Sequence, residues 1–168
     1  DGNGRWANAH GLPRIEGHRR GAESIRSAIE AAVQNGVRYL TLYGFSSENW
    51  RRPQKEVEDL MTLLRGFLES EITELHKNDI RLRVIGDRTQ FSSDIVQLIQ
   101  DGETHTYQNS RLDLILALSY GGRDEITAAA QRLGEKVLTG ELLPANITVQ
   151  HFEENLETAD IPDPDLLI

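Results

Sequence analysis

A chain of 168 residues, 38% of them apolar and none of them cysteine, can bury the core of one domain. The lack of cysteine excludes disulfides, zinc–thiolate sites and thiol nucleophiles, so a reducing, cytoplasmic setting is expected. No apolar run approaches the roughly 20 residues that span a bilayer, and no signal peptide is visible. The formal net charge of −9 argues against a nucleic-acid partner, but the charge is uneven. Residues 1–55 hold nine Lys/Arg against five acids, and the rest of the chain holds nine against 22. A basic island in an acidic protein suits a small polyanion.

The chain opens on Asp1-Gly2-Asn3-Gly4-Arg5-Trp6. Glycines at this spacing let backbone N–H groups crowd around an oxyanion, and Arg5 adds a forked cation suited to phosphate. Asp1 is the hard oxygen ligand that Mg²⁺ takes beside a substrate phosphate. The hexapeptide therefore reads as a diphosphate loop with its own metal ligand, although Gly-Asn-Gly is also an ordinary turn. A helix is expected over about 21–35, where Ile25, Ile29, Ala32 and Val33 form a stripe that Gly36 ends. A strand follows at 39–43. A long helix over about 54–77 opens after Pro53, and its stripe of Val57, Leu60, Met61, Leu64, Phe67, Leu68, Ile72 and Leu75 keeps the 3.6 period for six turns.

Residues 81–85 read as a strand ending at Gly86-Asp87. Ser92 or Ser93 then caps a helix that carries Ile95, Val96, Leu98 and Ile99. The LDLILAL run at 112–118 reads as a strand buried on both faces, and a helix over about 123–138 follows it. A short helix near 149–156 leads to 165–168, which reads as the start of another strand. Strands alternating with helices define an α/β fold, with a mostly parallel central sheet flanked by helices in a single domain. The strand expected before Asp1 and the one begun at 165 make the chain a piece of a larger domain, truncated at both ends.

Ligands of such sheets bind beyond the carboxyl ends of the strands. Residues 1–6, 45–53, 86–88 and 119–123 all belong at that edge. They bring hydroxyls, an amide, arginines and an indole to one rim. Each piece also has a plainer reading: Ser46 and Ser47 as a turn, Trp50 as a staple, His18 and the arginines 14, 19 and 20 as a solvated helix start, and Asp87-Arg88 as structural. Leu63, Leu64, Phe67 and Leu68 are wider than a core seam needs, so the long helix can also line an apolar cavity.

Together these residues give the chain its resemblance to a family. DGNGRWA at 1–7, Pro13-Arg14 through Gly17-His18, TLYGFSSENWRRP at 41–53, Glu56-Val57 with Leu60-Met61, residues 81–87 and SYGGRDEI at 119–126 are similar to the cis-prenyltransferases, and most closely to the bacterial undecaprenyl diphosphate synthases. The resemblance implies a parallel sheet flanked by helices and, at full length, a homodimer. It implies an enzyme that extends an allylic diphosphate, typically farnesyl diphosphate, by isopentenyl diphosphate units with new cis double bonds. Mg²⁺ is the implied cofactor. The implied product is a lipid carrier for cell-wall glycans, which makes peripheral membrane association an expectation.

The same resemblance implies the site. Asp1 matches the aspartate that binds Mg²⁺ and assists departure of diphosphate. Gly2, Asn3, Gly4, Arg5, Arg14 and His18 match positions that hold the allylic diphosphate, with Trp6 beside them. Ser46, Ser47, Glu48, Trp50 and Arg52 match substrate-binding positions, and Asn49 matches a residue proposed as proton acceptor. A neutral amide is a poor base, so an orienting role for Asn49, with the departing diphosphate taking the proton, is the alternative. The helix over 54–77 matches a wall of the tunnel that holds the growing chain.

The isopentenyl diphosphate stretch of the family, Arg-x-x-Gly-Glu-x-Arg-x-Ser, a later metal-binding glutamate and the dimer contacts are expected beyond residue 168. This piece is therefore expected to be inactive alone. Ser119 stands where many members have Asn. The rivals are a non-catalytic partner subunit and a Rossmann-type nucleotide binder. For the second, Gly2-x-Gly4-x-x-Ala7 supplies the fingerprint, and only Glu23 could be its acid. An all-helical trans-prenyltransferase is excluded by the strands and by the lack of an Asp-Asp-x-x-Asp motif.

Overall fold

A computed structural model describes residues 2–168, so Asp1 lies outside the described residues. Three strands, β1 (Tyr39–Ser46), β2 (Ile80–Ile85) and β3 (Leu112–Tyr120), form a parallel sheet in the order β1-β3-β2. Tyr39 to Tyr43 pair in register with Asp113 to Ala117, and Ile80 to Ile85 with Leu112 to Ala117. The LDLILAL strand is central as expected: Leu112, Leu114, Ile115 and Ala117 have no exposed surface. Burial on both faces is what allows an apolar run without alternation.

Six α-helices accompany the sheet among the described residues: α1 (Asn3–Ala9), α2 (Arg14–Gln34), α3 (Gln54–Lys77), α4 (Ser93–Thr106), α5 (Gly122–Leu138) and α6 (Val149–Glu153). Leu112, Leu114, Leu116 and Leu118 of β3 join Ile29 and Ala32 of α2, Leu68 and Leu75 of α3, and Ile95 and Ile99 of α4 in the main core. The opposite face carries a smaller cluster of Ile85, Ile115 and Ala117, against which Tyr39, Tyr120 and Ile161 pack. The long helix matches its expected bounds. Gly36 sits just past α2 at φ 71°, with Val37 N–H reaching Ala32 O at 3.0 Å, the glycine C-cap geometry its position implied.

Several expectations need correction. The described part of the opening hexapeptide, residues 2–6, is not a loop: Asn3 onward is helical, and of these residues only Gly2, at φ 88°, has left-handed backbone. α2 begins at Arg14 rather than near 21. Its first two turns carry little of the apolar stripe because they pack against α1 through glycine. A Cβ on Gly17 would lie 1.9 Å from Asn3 O, and one on Gly21 would lie 2.4 Å from Asn3 Nδ2. Ser92 takes the N-cap position of α4 without a side-chain capping bond. The short helix stops at Glu153. Residues 165–168 form no strand, have no neighbouring strand paired to them, and leave Leu166 and Leu167 exposed.

Candidate active site

The polar segments gather at the carboxyl edge of the sheet. β1 ends in a 3-10 turn over Ser47–Arg51, and the last residues of β3 include Ser119, whose φ of 52° is unusual for a residue with a side chain. The Trp50 indole N–H donates to Ser119 Oγ at 2.9 Å, and the ring packs edge-on against Phe45 and Phe91. Ser47 donates to Asp124 Oδ2 at 2.6 Å. A Cβ on Gly121 would come within 2.6 Å of both oxygens, so only glycine leaves room for that bond. Asn49 Oδ1 accepts the Ser46 N–H at 3.1 Å, which closes the turn on itself. Glu48 is exposed.

A second cluster joins the starts of α2 and α3. Glu56 Oε1 is 2.9 Å from Arg52 Nη1, 3.3 Å from Arg14 Nη2 and 4.0 Å from His18 Nε2. The Arg14 guanidinium also lies over Gly4, where a Cβ would meet it at 3.0 Å. α1 is thus seated on the same cluster. His18 Nε2 is buried and has no hydrogen-bond partner. Burial first, and then the Arg52 and Arg14 charges, hold its pKa below the usual 6.5 against the opposing pull of Glu56. The imidazole is therefore neutral at pH 7, with an unspent nitrogen. A cleft of about 310 Å³ opens here, lined by Arg14, Ile15, His18 and Glu56 together with Pro13, Pro53, Lys55 and Asp59.

Beyond this polar mouth, α2, α3 and β1 carry apolar side chains that are only half-buried against the core: Ile25, Leu40, Leu42, Leu60, Met61, Leu64 and Phe67. Half-burial along so long a stripe distinguishes this region from the closed core around Leu68 and Leu75. The arrangement offers cations and free donors at one end and dry side chains behind them. It can hold an anionic head with a hydrocarbon tail.

Arg14, His18 and Arg52 thus meet directly, and Ser46, Ser47, Asn49 and Trp50 share one turn. Arg5 and Trp6 are exposed on α1, and the Trp6 ring stacks on His10 at 4.3 Å. Arg88 reaches Val84 O and both Glu103 oxygens, and Asp87 accepts the Thr89 N–H at 2.9 Å. Glu56 and Asp124 were not singled out as site residues from sequence. Glu56 had one available signal, its i, i+4 spacing from Arg52. Asp124 had none, since its partner is 77 positions away. Glu23, the only acid a nucleotide fingerprint could use, lies exposed in the middle of α2 and not at a strand end, which removes that rival. The described residues hold no group of three or more His, Asp or Glu side chains able to hold a metal ion.

Comparison with known proteins agrees with this geometry. The fold and site are those of the prenyl diphosphate synthase class: residues 1–168 match the family described as "Putative undecaprenyl diphosphate synthase". The isoprenyl transferase of Rhizobium meliloti is 49% identical over all 168 residues, which cover 68% of that protein. The ditrans,polycis-undecaprenyl-diphosphate synthase ((2E,6E)-farnesyl-diphosphate specific) of Vibrio cholerae is 47% identical over the same span, 67% of its length. Lavandulyl diphosphate synthase from Lavandula x intermedia, crystallised with dimethylallyl diphosphate, superposes with a TM-score of 0.92 at 34% identity over 96% of this chain and 69% of that one. The chain belongs to the undecaprenyl diphosphate synthase family of prenyltransferases, and it spans about two thirds of the length of these relatives.

Proposed function

We propose that the complete protein condenses isopentenyl diphosphate onto an allylic diphosphate, farnesyl diphosphate by preference, with new cis double bonds. The observation that carries this reading is the junction of the Arg14–His18–Arg52 mouth with the half-buried apolar cleft between α2 and α3. The allylic diphosphate lies across the mouth, held by Arg14, the His18 imidazole, Arg5 and the backbone N–H groups of residues 2–4. Its hydrocarbon tail enters the cleft. The C1–O bond breaks and its electron pair leaves on the diphosphate, where guanidinium groups and backbone donors stabilise the added charge. The cation at C1 is attacked by the terminal alkene carbon of isopentenyl diphosphate, and one proton is then lost from the adjacent CH₂. The apolar walls exclude the water that would otherwise capture the cation.

Ser46, Ser47, Glu48, Trp50 and Arg52 are assigned to positioning the reacting carbons. Asn49 is assigned an orienting role. Its carbonyl oxygen is engaged with the Ser46 N–H, and an amide has no basic lone pair near neutral pH, so the departing diphosphate receives the proton. Mg²⁺, assigned to Asp1 by the family resemblance alone, would neutralise charge on the departing diphosphate when bound. A homodimer, a cytoplasmic location with transient contact at the membrane surface, and a product used as a cell-wall glycan carrier complete the proposal. No described helix is long and apolar enough to cross a membrane.

Titration of the full-length protein with the slow-reacting analogue farnesyl thiodiphosphate tests the site. Arg14→Ala is expected to weaken binding by about tenfold, the scale of one charge-assisted contact. Binding that is unchanged by Arg14→Ala and by Arg52→Ala would exclude this mouth as the diphosphate site.

A further inference from the structure

Helix α3 is held from both sides by ion pairs that differ in kind. Toward α4, Arg65 Nε lies 2.6 Å from Asp94 Oδ2, with side chains 35% and 53% exposed. Toward α2, Arg26 pairs with Glu71, its Nε 3.1 Å from Oε1 and its terminal amine closer still. Arg26 is 58% exposed, but the Glu71 side chain is only 12% exposed and also accepts the Ser70 hydroxyl at 2.9 Å. This carboxylate is tucked between two helices, and a buried charge that loses its partner is costly in a way a solvated one is not.

The position of the pair matters as much as its burial. α2 and α3 both start at the basic mouth, where Arg14 and Glu56 link them. Arg26–Glu71 links them again twelve residues on along α2 and fifteen along α3, about 18 and 22 Å at a helical rise of 1.5 Å per residue. Half-buried Ile25, Leu60, Met61, Leu64 and Phe67 lie between the two links. Around and beyond the second, Ile29, Ala32, Leu68 and Leu75 are buried and the space is closed. Among the described residues no other charged contact joins these helices past the mouth.

We propose that Arg26–Glu71 is a brace that fixes the α2–α3 separation at the distal end of the cleft, and thereby limits the length of isoprenoid chain the cleft holds. The inference rests on the reading of that cleft as the prenyl-chain site. Arg26 touches no reacting atom; it acts as a positioning residue for product length. Without it, the Glu71 carboxylate, 12% exposed, keeps only the Ser70 hydroxyl as a partner, and parting the helices to admit water is the response that restores its solvation. α3 keeps its tie to α4 through Arg65, so the opening falls on the α2 side.

The test is the product distribution of the full-length enzyme, supplied with farnesyl diphosphate and labelled isopentenyl diphosphate and resolved by reverse-phase chromatography. Arg26→Ala is expected to shift the distribution longer by one or more isoprene units, and the exchange Arg26→Glu with Glu71→Arg to return it to the wild-type length. Glu71→Gln weakens the brace without leaving an unpaired carboxylate and so guards against a folding failure; with no charge to hydrate, it is expected to lengthen the distribution by less than Arg26→Ala. A wild-type distribution in folded Arg26→Ala and Glu71→Gln proteins would overturn the brace while leaving the functional reading intact. A wild-type enzyme that makes no labelled prenyl product would remove both.

Discussion

Single residues at the sheet edge combine fold and chemistry. Ser119 holds the Trp50 indole N–H and adopts φ 52°, a conformation that Asn tolerates better than Ser. Ser119→Ala is therefore expected to cost about 1–3 kcal/mol, the penalty for leaving a largely buried donor unpaired. Ser119→Asn is expected to be neutral or slightly stabilising. Urea midpoints of the three proteins check both statements, and equal midpoints for Ala and wild type would deny Ser119 its role.

His18 offers a pH test. Its pKa is lowered in the folded state, mainly by burial, so the unfolded chain binds a proton more readily. Stability thus rises with pH from the folded pKa up to about 6.5, and is lost as the pH falls through that window. The melting temperature of His18→Gln is expected to fall less between pH 7 and pH 5.5 than that of wild type. Parallel curves would show that another group controls the acid limb.

At the scale of elements, the decisive contact is α1 on α2. Gly17 faces the Asn3 carbonyl so closely that a Cβ would sit 1.9 Å away. Gly17→Ala must therefore lift α1 off α2, at about 1–3 kcal/mol, and should weaken allylic diphosphate binding at the same time. Circular dichroism melts and analogue titration would separate the two effects. Intact stability would mean that α1 is not seated as described.

The same contact explains what was legible in the sequence. α3 and β3 could be read because their patterns report burial against the core, a 3.6-residue stripe in one and an unbroken apolar run in the other. α1 and the first turns of α2 bury backbone and glycine against each other, so no hydrophobic period betrays them. The glycines of the opening hexapeptide suggested an anion nest. Gly4 instead gives the Arg14 guanidinium room to lie across α1.

The site followed the same rule. Ser46 to Arg52 lie on one short segment and were legible together. Glu56 ties Arg14, His18 and Arg52 into one cluster, but that role depends on two helix starts meeting in space. The segment at 165–168 shows the converse limit: four residues of strand-like composition form no strand among the described residues without a partner strand.

At the scale of the whole molecule, charge and apolar surface are separated along one axis. Arg14 and Arg52 stand together at the carboxyl edge, and the half-buried apolar stripe of α2 and α3 leads away from them. This polarity fits a substrate that is ionic at one end and hydrocarbon at the other, growing at the ionic end. The measurement that reaches the central claim most directly is a single-turnover reaction of the full-length protein with Mg²⁺, farnesyl diphosphate and ¹³C-labelled isopentenyl diphosphate. The geometry of the new double bond is then read by NMR. The account predicts a prenyl product whose added unit carries a cis double bond. A trans double bond, or no transfer of label into a longer prenyl chain, would contradict it.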